Sequence, residues 1–153
     1  MRFIGITETV CIDESLVPFK GRLAIKQYIP NKSSKCGIKL FELCSAHGYT
    51  WNISVYCGKE RDPSGAVPTK IVMKLSEGLL DAGRTIVTDN YYSSLQLANC
   101  LLDRKTHVLG TLRKNRKGNT KEVVKQLEKG EVIAKENEEI LKPKMVFDYN
   151  KGK

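Results

Sequence analysis

Histidine is nearly missing from this 153-residue chain, which carries only His47 and His107. Biological zinc sites lean on histidine and cysteine, and the five cysteines, at 11, 36, 44, 57 and 100, show no C-x-x-C spacing. A zinc centre of that kind is therefore excluded, and any metal falls to carboxylates. The odd cysteine count, mostly in apolar segments, also argues against a disulfide framework and for a reducing, intracellular setting. No run approaches the roughly 20 apolar residues of a membrane span, and the opening MRFIGITETV lacks a signal-peptide core, so no membrane role is expected. Acids are missing from two windows. Residues 15–41 hold six lysines and arginines and no Asp or Glu, and residues 104–121 hold seven, again without an acid.

What is present suits one globular domain. A hydrophobic content of 41% over 153 residues supports a single core and leaves too little chain for a second. The formal charge of +9, from 26 Lys+Arg against 17 Asp+Glu, favours a polyanionic partner. Nucleic acid ranks ahead of a membrane because no basic amphipathic helix is evident, and a plainly basic surface is the alternative.

The alternation in TETVCID (7–13) predicts a first strand ending at Asp13 and Glu14. Residues 14–37, with two prolines and two glycines, read as an ordered, charged loop. IKLFELCSA (38–46) and YTWNISVYC (49–57) predict a hairpin turning at His47-Gly48, with Tyr49, Trp51, Ile53, Val55 and Cys57 on one face. Thr69 is the expected cap of a helix over 69–82 that turns Ile71, Val72, Leu75, Leu79 and Leu80 inward and stops at Gly83. RTIVTD (84–89) reads as an internal parallel strand. A helix from a Ser93 cap over 93–103, with Leu95, Ala98, Leu101 and Leu102 inward, and a last strand HVLGTL (107–112) complete the order β-ββ-α-β-α-β. That order predicts an α/β fold with a mixed, hairpin-bearing sheet, crossover helices and a charged, irregular C-terminal tail. Within the tail, EVVKQLEKG (122–130) suggests a short helix, and residues near Val132 and 145–147 carry weak strand signals.

Asp13 and Asp89 stand out because each ends an apolar strand, where a carboxylate is costly to desolvate alone. Ligand sites in open α/β sheets form at the carboxyl ends of strands, so the two aspartates are candidates to converge on a divalent cation. Magnesium suits oxygen ligands of this type. The competing reading is that each aspartate only caps a turn. The basic windows have the same two readings. Their lysines and arginines either contact phosphates or form solvated faces, and RKNRK (113–117) also has the composition of a nuclear localisation patch.

The strings CIDESLVPFKGRLAIKQYIPNKSSKCGIKLFELC (11–44) and VTDNYYSSLQLANCLLDRKTHVLGTLRKNRKG (87–118) resemble the core of the piggyBac transposase family, transposable-element-derived members included. The ordered pattern I-D-E-S, P-F-K-G-R, Y-x-P-N-K-x-x-K-x-G-x-K and T-D-N-Y-Y-x-S is highly specific. It covers residues 8–120 well and residues 130–137 and 142–153 more loosely. The resemblance implies a ribonuclease-H-like fold and metal-dependent DNA cleavage and strand transfer with two magnesium ions. Asp13 and Asp89 match the first and second catalytic, metal-ligating aspartates. Lys20, Arg22, Lys32, Lys35, Lys39, Arg113, Lys114, Arg116 and Lys117 are the expected DNA contacts. The implied partners are transposon ends or non-specific duplex DNA, with a homodimer as a further candidate, and the implied location is the nucleus.

The family's third aspartate lies in a G-G-V-D motif that these residues do not contain, and Asp148 matches a position upstream of it. The metal set is therefore incomplete here. The expectation is a truncated core over 1–112 followed by a remnant of the insertion region over 113–153. Three functional readings follow: a DNA-binding core with catalysis lost, a nuclease completed by Glu14 or another chain, and a domesticated protein-interaction module that no longer binds DNA.

Overall fold

The computed structural model describes residues 7–45, 48–58, 67–113, 115–116 and 118–119. Strand β1 spans Thr9–Pro18, with Val10 and Ile12 buried and Cys11 and Asp13 exposed, the two-residue period of a pleated strand. It does not stop at Asp13 and Glu14 but continues to Pro18. The extension pairs with β3, Cys36–Ser45, from Glu14↔Phe41 to Pro18↔Gly37, and proline, which has no N–H to donate, closes it. The segment expected to be loop also holds a two-residue strand, β2, Gln27–Tyr28, paired with Cys36 and Gly37. The order thus gains one strand over β-ββ-α-β-α-β.

β4, Thr50–Val55, forms the hairpin with β3, and Gly48 takes the left-handed φ of 78° that its turn requires. Because β1 lies along one edge of β3, β2 and β4 share the other. Helix α1, Val67–Ser76, starts ahead of Thr69, which is buried within it instead of capping it. Pro68 fits the first turn, where an N–H has no helical partner. Ser76 Oγ donates to Val72 O at 2.7 Å, and the chain tightens into a 3₁₀ turn over Glu77–Leu79, ending before Gly83.

β5, Thr85–Thr88, lies parallel to β1, and β6, His107–Gly110, lies parallel to β5. Between them α2, Leu95–Asp103, is capped by Ser94, whose Oγ accepts the Leu97 N–H at 3.1 Å; Ser93 is not the cap. The sheet order is β2-β3-β1-β5-β6 with β4 beside β3, a mixed and open arrangement. The two crossovers advance in the same direction, so α1 and α2 lie on one face and touch each other. Val10, Ile12, Phe41, Leu43 and Ile86 meet Val72, Leu75, Leu97 and Leu101 there.

The other face is uncovered among the described residues. Leu109 is 53% exposed and Ile53 51%. Ile53 and Val55 of β4 therefore turn away from the helices, while Trp51, expected on their face, sits at the shift in the β3–β4 register and packs partly buried against the core. The polar side of β4 faces the helices, with Asn52 Nδ2 donating to Leu75 O at 3.0 Å and Ser54 lining a cleft with Val67 and Ile71. The expected helix over 122–130 and the strand signals near Val132 and 145–147 lie outside the described residues.

Candidate functional site

Parallel pairing of β1 with β5 runs from Thr9↔Thr85 to Ile12↔Thr88. The next step out of that ladder is Asp13 beside Asp89. β5 ends at Thr88 while β1 continues against β3 alone, so Asp13, though inside its strand, stands where the two-strand pairing opens. Both aspartates are exposed. Burial, then the charges of Asp13, Cys44 and Asp89, pushes the Cys11 thiol up, which sets both aspartates within electrostatic reach of one side chain. A thiol so held stays protonated and is a poor nucleophile.

Each carboxylate uses one oxygen locally. Asp13 Oδ1 accepts the Glu14 N–H at 2.8 Å, and Asp89 Oδ1 accepts the Tyr91 N–H at 2.9 Å. The turn-capping reading is thus realised at Asp89, and the second oxygen of each aspartate lies outside any hydrogen bond among the described residues. The turn after Asp89 is strongly fixed. Ser93 Oγ donates to Asp89 O at 2.8 Å and pairs with Thr88 Oγ1 at 2.9 Å. Gly110 of β6 comes so close that a Cβ there would lie 2.3 Å from Thr88 O. From the far side, Arg113 Nε donates to Asn90 Oδ1 at 3.0 Å, while Arg116 Nη2 donates to Asn90 O at 3.2 Å and also to Tyr91 O.

The remaining residues singled out in the sequence divide by environment. Lys20, Arg22, Lys32 and Lys35 are exposed, on the loop between β1 and β3 that β1 enters after passing Asp13. Lys39 is half-buried, 4.0 Å from Glu14 Oε2 and over the rings of Phe41 and Tyr91. Glu14 points to the opposite face from Asp13, as alternation requires, and its charge already has Lys39 for a partner. Lys114 and Lys117 lie outside the described residues.

Glu42 had no signal in the sequence, and Tyr92 stood there only as part of the T-D-N-Y-Y-x-S string. Glu42 of β3 is the register partner of Asp13, visible only once the strands are paired. Tyr92 is fully buried, and its hydroxyl has no hydrogen-bond partner among the described residues. No group of three or more His, Cys, Asp or Glu side chains is gathered closely enough to hold a metal among the described residues.

Comparison with known proteins follows the same outline. The Transposase IS4 family matches residues 1–153. The human PiggyBac transposable element-derived protein 3 is 29% identical over 121 residues, 75% of this chain and 20% of that protein. The human chimeric ERCC6-PGBD3 protein is likewise 29% identical over 121 residues and is covered over 11% of its length. A cryo-EM structure of the piggyBac transposase synaptic complex with hairpin DNA superposes with a TM-score of 0.78 at 29% identity, covering 87% of this chain and 29% of that one. The chain therefore spans a fifth or less of the curated relatives it matches. With the family match running from the first residue to the last, the chain belongs to the Transposase IS4 family and is piggyBac transposase-like.

Proposed function

We propose that the chain is a DNA-binding, transposase-derived core of ribonuclease-H-like topology, in which Asp13 and Asp89 share a divalent cation. The observation that carries this reading is the parallel register of β1 and β5, which ends one step before the two aspartates. Likeness to a transposase solved as a DNA complex supports the choice of DNA as partner. The domain reading is a core over 1–112 and a remnant of an insertion region over 113–153, and the location proposed is the nucleus.

The donor set fits magnesium: two exposed carboxylates, each with an oxygen left over from its local hydrogen bond. When bound, such a cation supplies activation of an attacking oxygen and neutralisation of phosphate charge. The chain's own residues do the rest. Asp13 is set by β1 and Asp89 by a turn fastened by Ser93, Arg113 and Arg116. Lys20, Arg22, Lys32 and Lys35, exposed on the segment that follows β1, would present cations to a DNA backbone. Arg113, Arg116 and Lys39, whose donors or charge are engaged within the chain, carry less of that work. Their engagement is what favours the second reading, a domesticated interaction module that has given up DNA.

Duplex binding measured against salt separates the two. With Lys20, Arg22, Lys32 and Lys35 changed to Gln, the slope of log affinity on log salt should fall by about 0.9 for each phosphate that the variant no longer neutralises. A wild-type chain without salt-dependent binding, or an unchanged slope in the variant, would refute the DNA assignment.

A further inference from the structure

Cys11 of β1 and Cys44 of β3 stand directly opposite each other in the antiparallel ladder, and no other two of the five cysteines are register partners among the described residues. Val10 and Ile12 on either side of Cys11 are buried, as are Leu43 and Ser45 on either side of Cys44, so alternation turns both thiols to the sheet face away from the helices. Both are free: Cys11 is exposed and Cys44 half-buried, its Sγ 3.5 Å from Thr50 Oγ1. The backbone fixes the kind of pair. Thr85 N–H donates to Glu8 O at 3.0 Å, so the even-numbered residues of β1 direct their backbone groups to β5 and the odd-numbered ones, Cys11 included, direct theirs to β3. Phe19 N–H donating to Cys36 O at 3.3 Å keeps the same parity along the ladder. Cys11 and Cys44 are therefore a hydrogen-bonded pair, with Cα atoms about 5.5 Å apart, inside the range of about 4.4–6.8 Å that disulfides span. Cβ atoms of opposed residues lie about 4.5–5.5 Å apart, against about 3.8 Å in a disulfide, so a bond here draws the strands together under strain. Strained or exposed disulfides are the readily reduced ones.

We propose that Cys11 and Cys44 form a reversible cross-strand disulfide, a redox-sensitive modification site two residues from Asp13 and its register partner Glu42 on the same face. The oxidant is a low-molecular-weight disulfide. Cys44 attacks one of its sulfurs and releases a small thiol, and Cys11 then attacks the Cys44 sulfur of the mixed disulfide and releases the second. The two protein thiols give up two electrons and two protons, and one small disulfide becomes two thiols. A weak nucleophile such as Cys11 suffices for the second step because that step is intramolecular. The inference does not depend on a shared cation at the aspartates.

The test incubates the full chain, folded and reduced, with glutathione disulfide and maps its peptides by mass spectrometry, comparing wild type, Cys11→Ser and Cys44→Ser. Wild type should yield a cross-link between the peptides that hold residues 11 and 44, and excess reduced glutathione should abolish it. Cys11→Ser should instead accumulate glutathione on Cys44, the mixed disulfide left without a partner to resolve it, and Cys44→Ser should show no cross-link at Cys11. Wild type that carries glutathione on Cys44 without the cross-link overturns the inference, because the opposed thiol then fails to reach it. So does a cross-link that forms only in urea, where the native register is gone, or one that excess reduced glutathione leaves intact.

Discussion

Substituting Gly110 by alanine tests whether the turn bearing Asp89 is held as tightly as the geometry implies. An added Cβ would sit 2.3 Å from Thr88 O, 2.5 Å from Ser93 Oγ and 2.9 Å from Thr88 Oγ1. None of these is the far end of a flexible side chain. One is backbone, and the two hydroxyls are hydrogen-bonded to each other at 2.9 Å inside the core. Overpacking of this kind costs about 1–3 kcal/mol, and breaking the Thr88–Ser93 bond adds about 1 kcal/mol. Gly110→Ala should therefore destabilise the chain by about 2–4 kcal/mol, and at about 2–4 °C per kcal/mol for a chain of this size the melting point falls by about 4–16 °C. Gly78→Ala is the control, because its Cβ meets nothing within 4 Å and its backbone needs no left-handed φ. That variant should be neutral or slightly stabilising. Urea titration of both, with manganese affinity as a second readout, decides the matter. Gly110→Ala as stable as wild type would refute the reasoning, as would a stability loss that leaves the aspartate site's metal affinity untouched.

Other outcomes follow from the same structure. The single Arg104 Nε–H is shared between both carboxylate oxygens of Asp81 and Nη2 donates to Oδ2, and these contacts hold that carboxyl below the ordinary 3.8. A depressed folded-state pKa gives stability that is present above the unfolded value and lost as pH falls through the folded one. Urea midpoints followed from neutral into acid should thus fall less steeply for Asp81→Asn than for wild type, and an identical profile would contradict the pairing. A strand-transfer assay with magnesium on these 153 residues alone should show no product, since positioning two ions calls for an anionic ligand beyond Asp13 and Asp89. Product that disappears in Asp13→Asn would mean that another group, with Glu42 the register neighbour to test, completes the set.

Much of the fold could be read from periodicity. The β3 and β4 hairpin, the two crossover helices and the parallel strand leading to Asp89 each carry an apolar pattern strong enough to name the element. What escaped depends on pairings distant in sequence. β1 runs past Asp13 because β3 offers it a partner as far as Gly37, and no local signal in 14–18 says so. β2 exists only as two residues against Cys36 and Gly37. The apolar residues of β4 marked an amphipathic strand correctly but not which side the helices cover; Asn52 faces them because it satisfies a carbonyl at the end of α1. Ser93 and Ser94 are equivalent as sequence caps, and only the demand of Asp89 O and Thr88 for a hydroxyl assigns Ser93 to the turn. For the site, Asp89 lies just past the end of β5 as expected, whereas Asp13 was expected at a strand end and lies inside β1. Glu42 was not legible, since a register partner is a property of pairing alone, and Tyr92, though within the T-D-N-Y-Y-x-S string, showed nothing there of its buried, unpaired hydroxyl.

Whether Asp13 and Asp89 act together on one cation is addressed most directly by a double-mutant cycle of metal affinity. Magnesium and manganese binding would be measured calorimetrically for wild type, Asp13→Asn, Asp89→Asn and the double variant. With a shared cation, each single change weakens binding by at least about tenfold and the double change costs clearly less than the two combined, because either loss alone dismantles the site. Affinities unchanged by either substitution, or losses that simply add as for two independent sites, would contradict it.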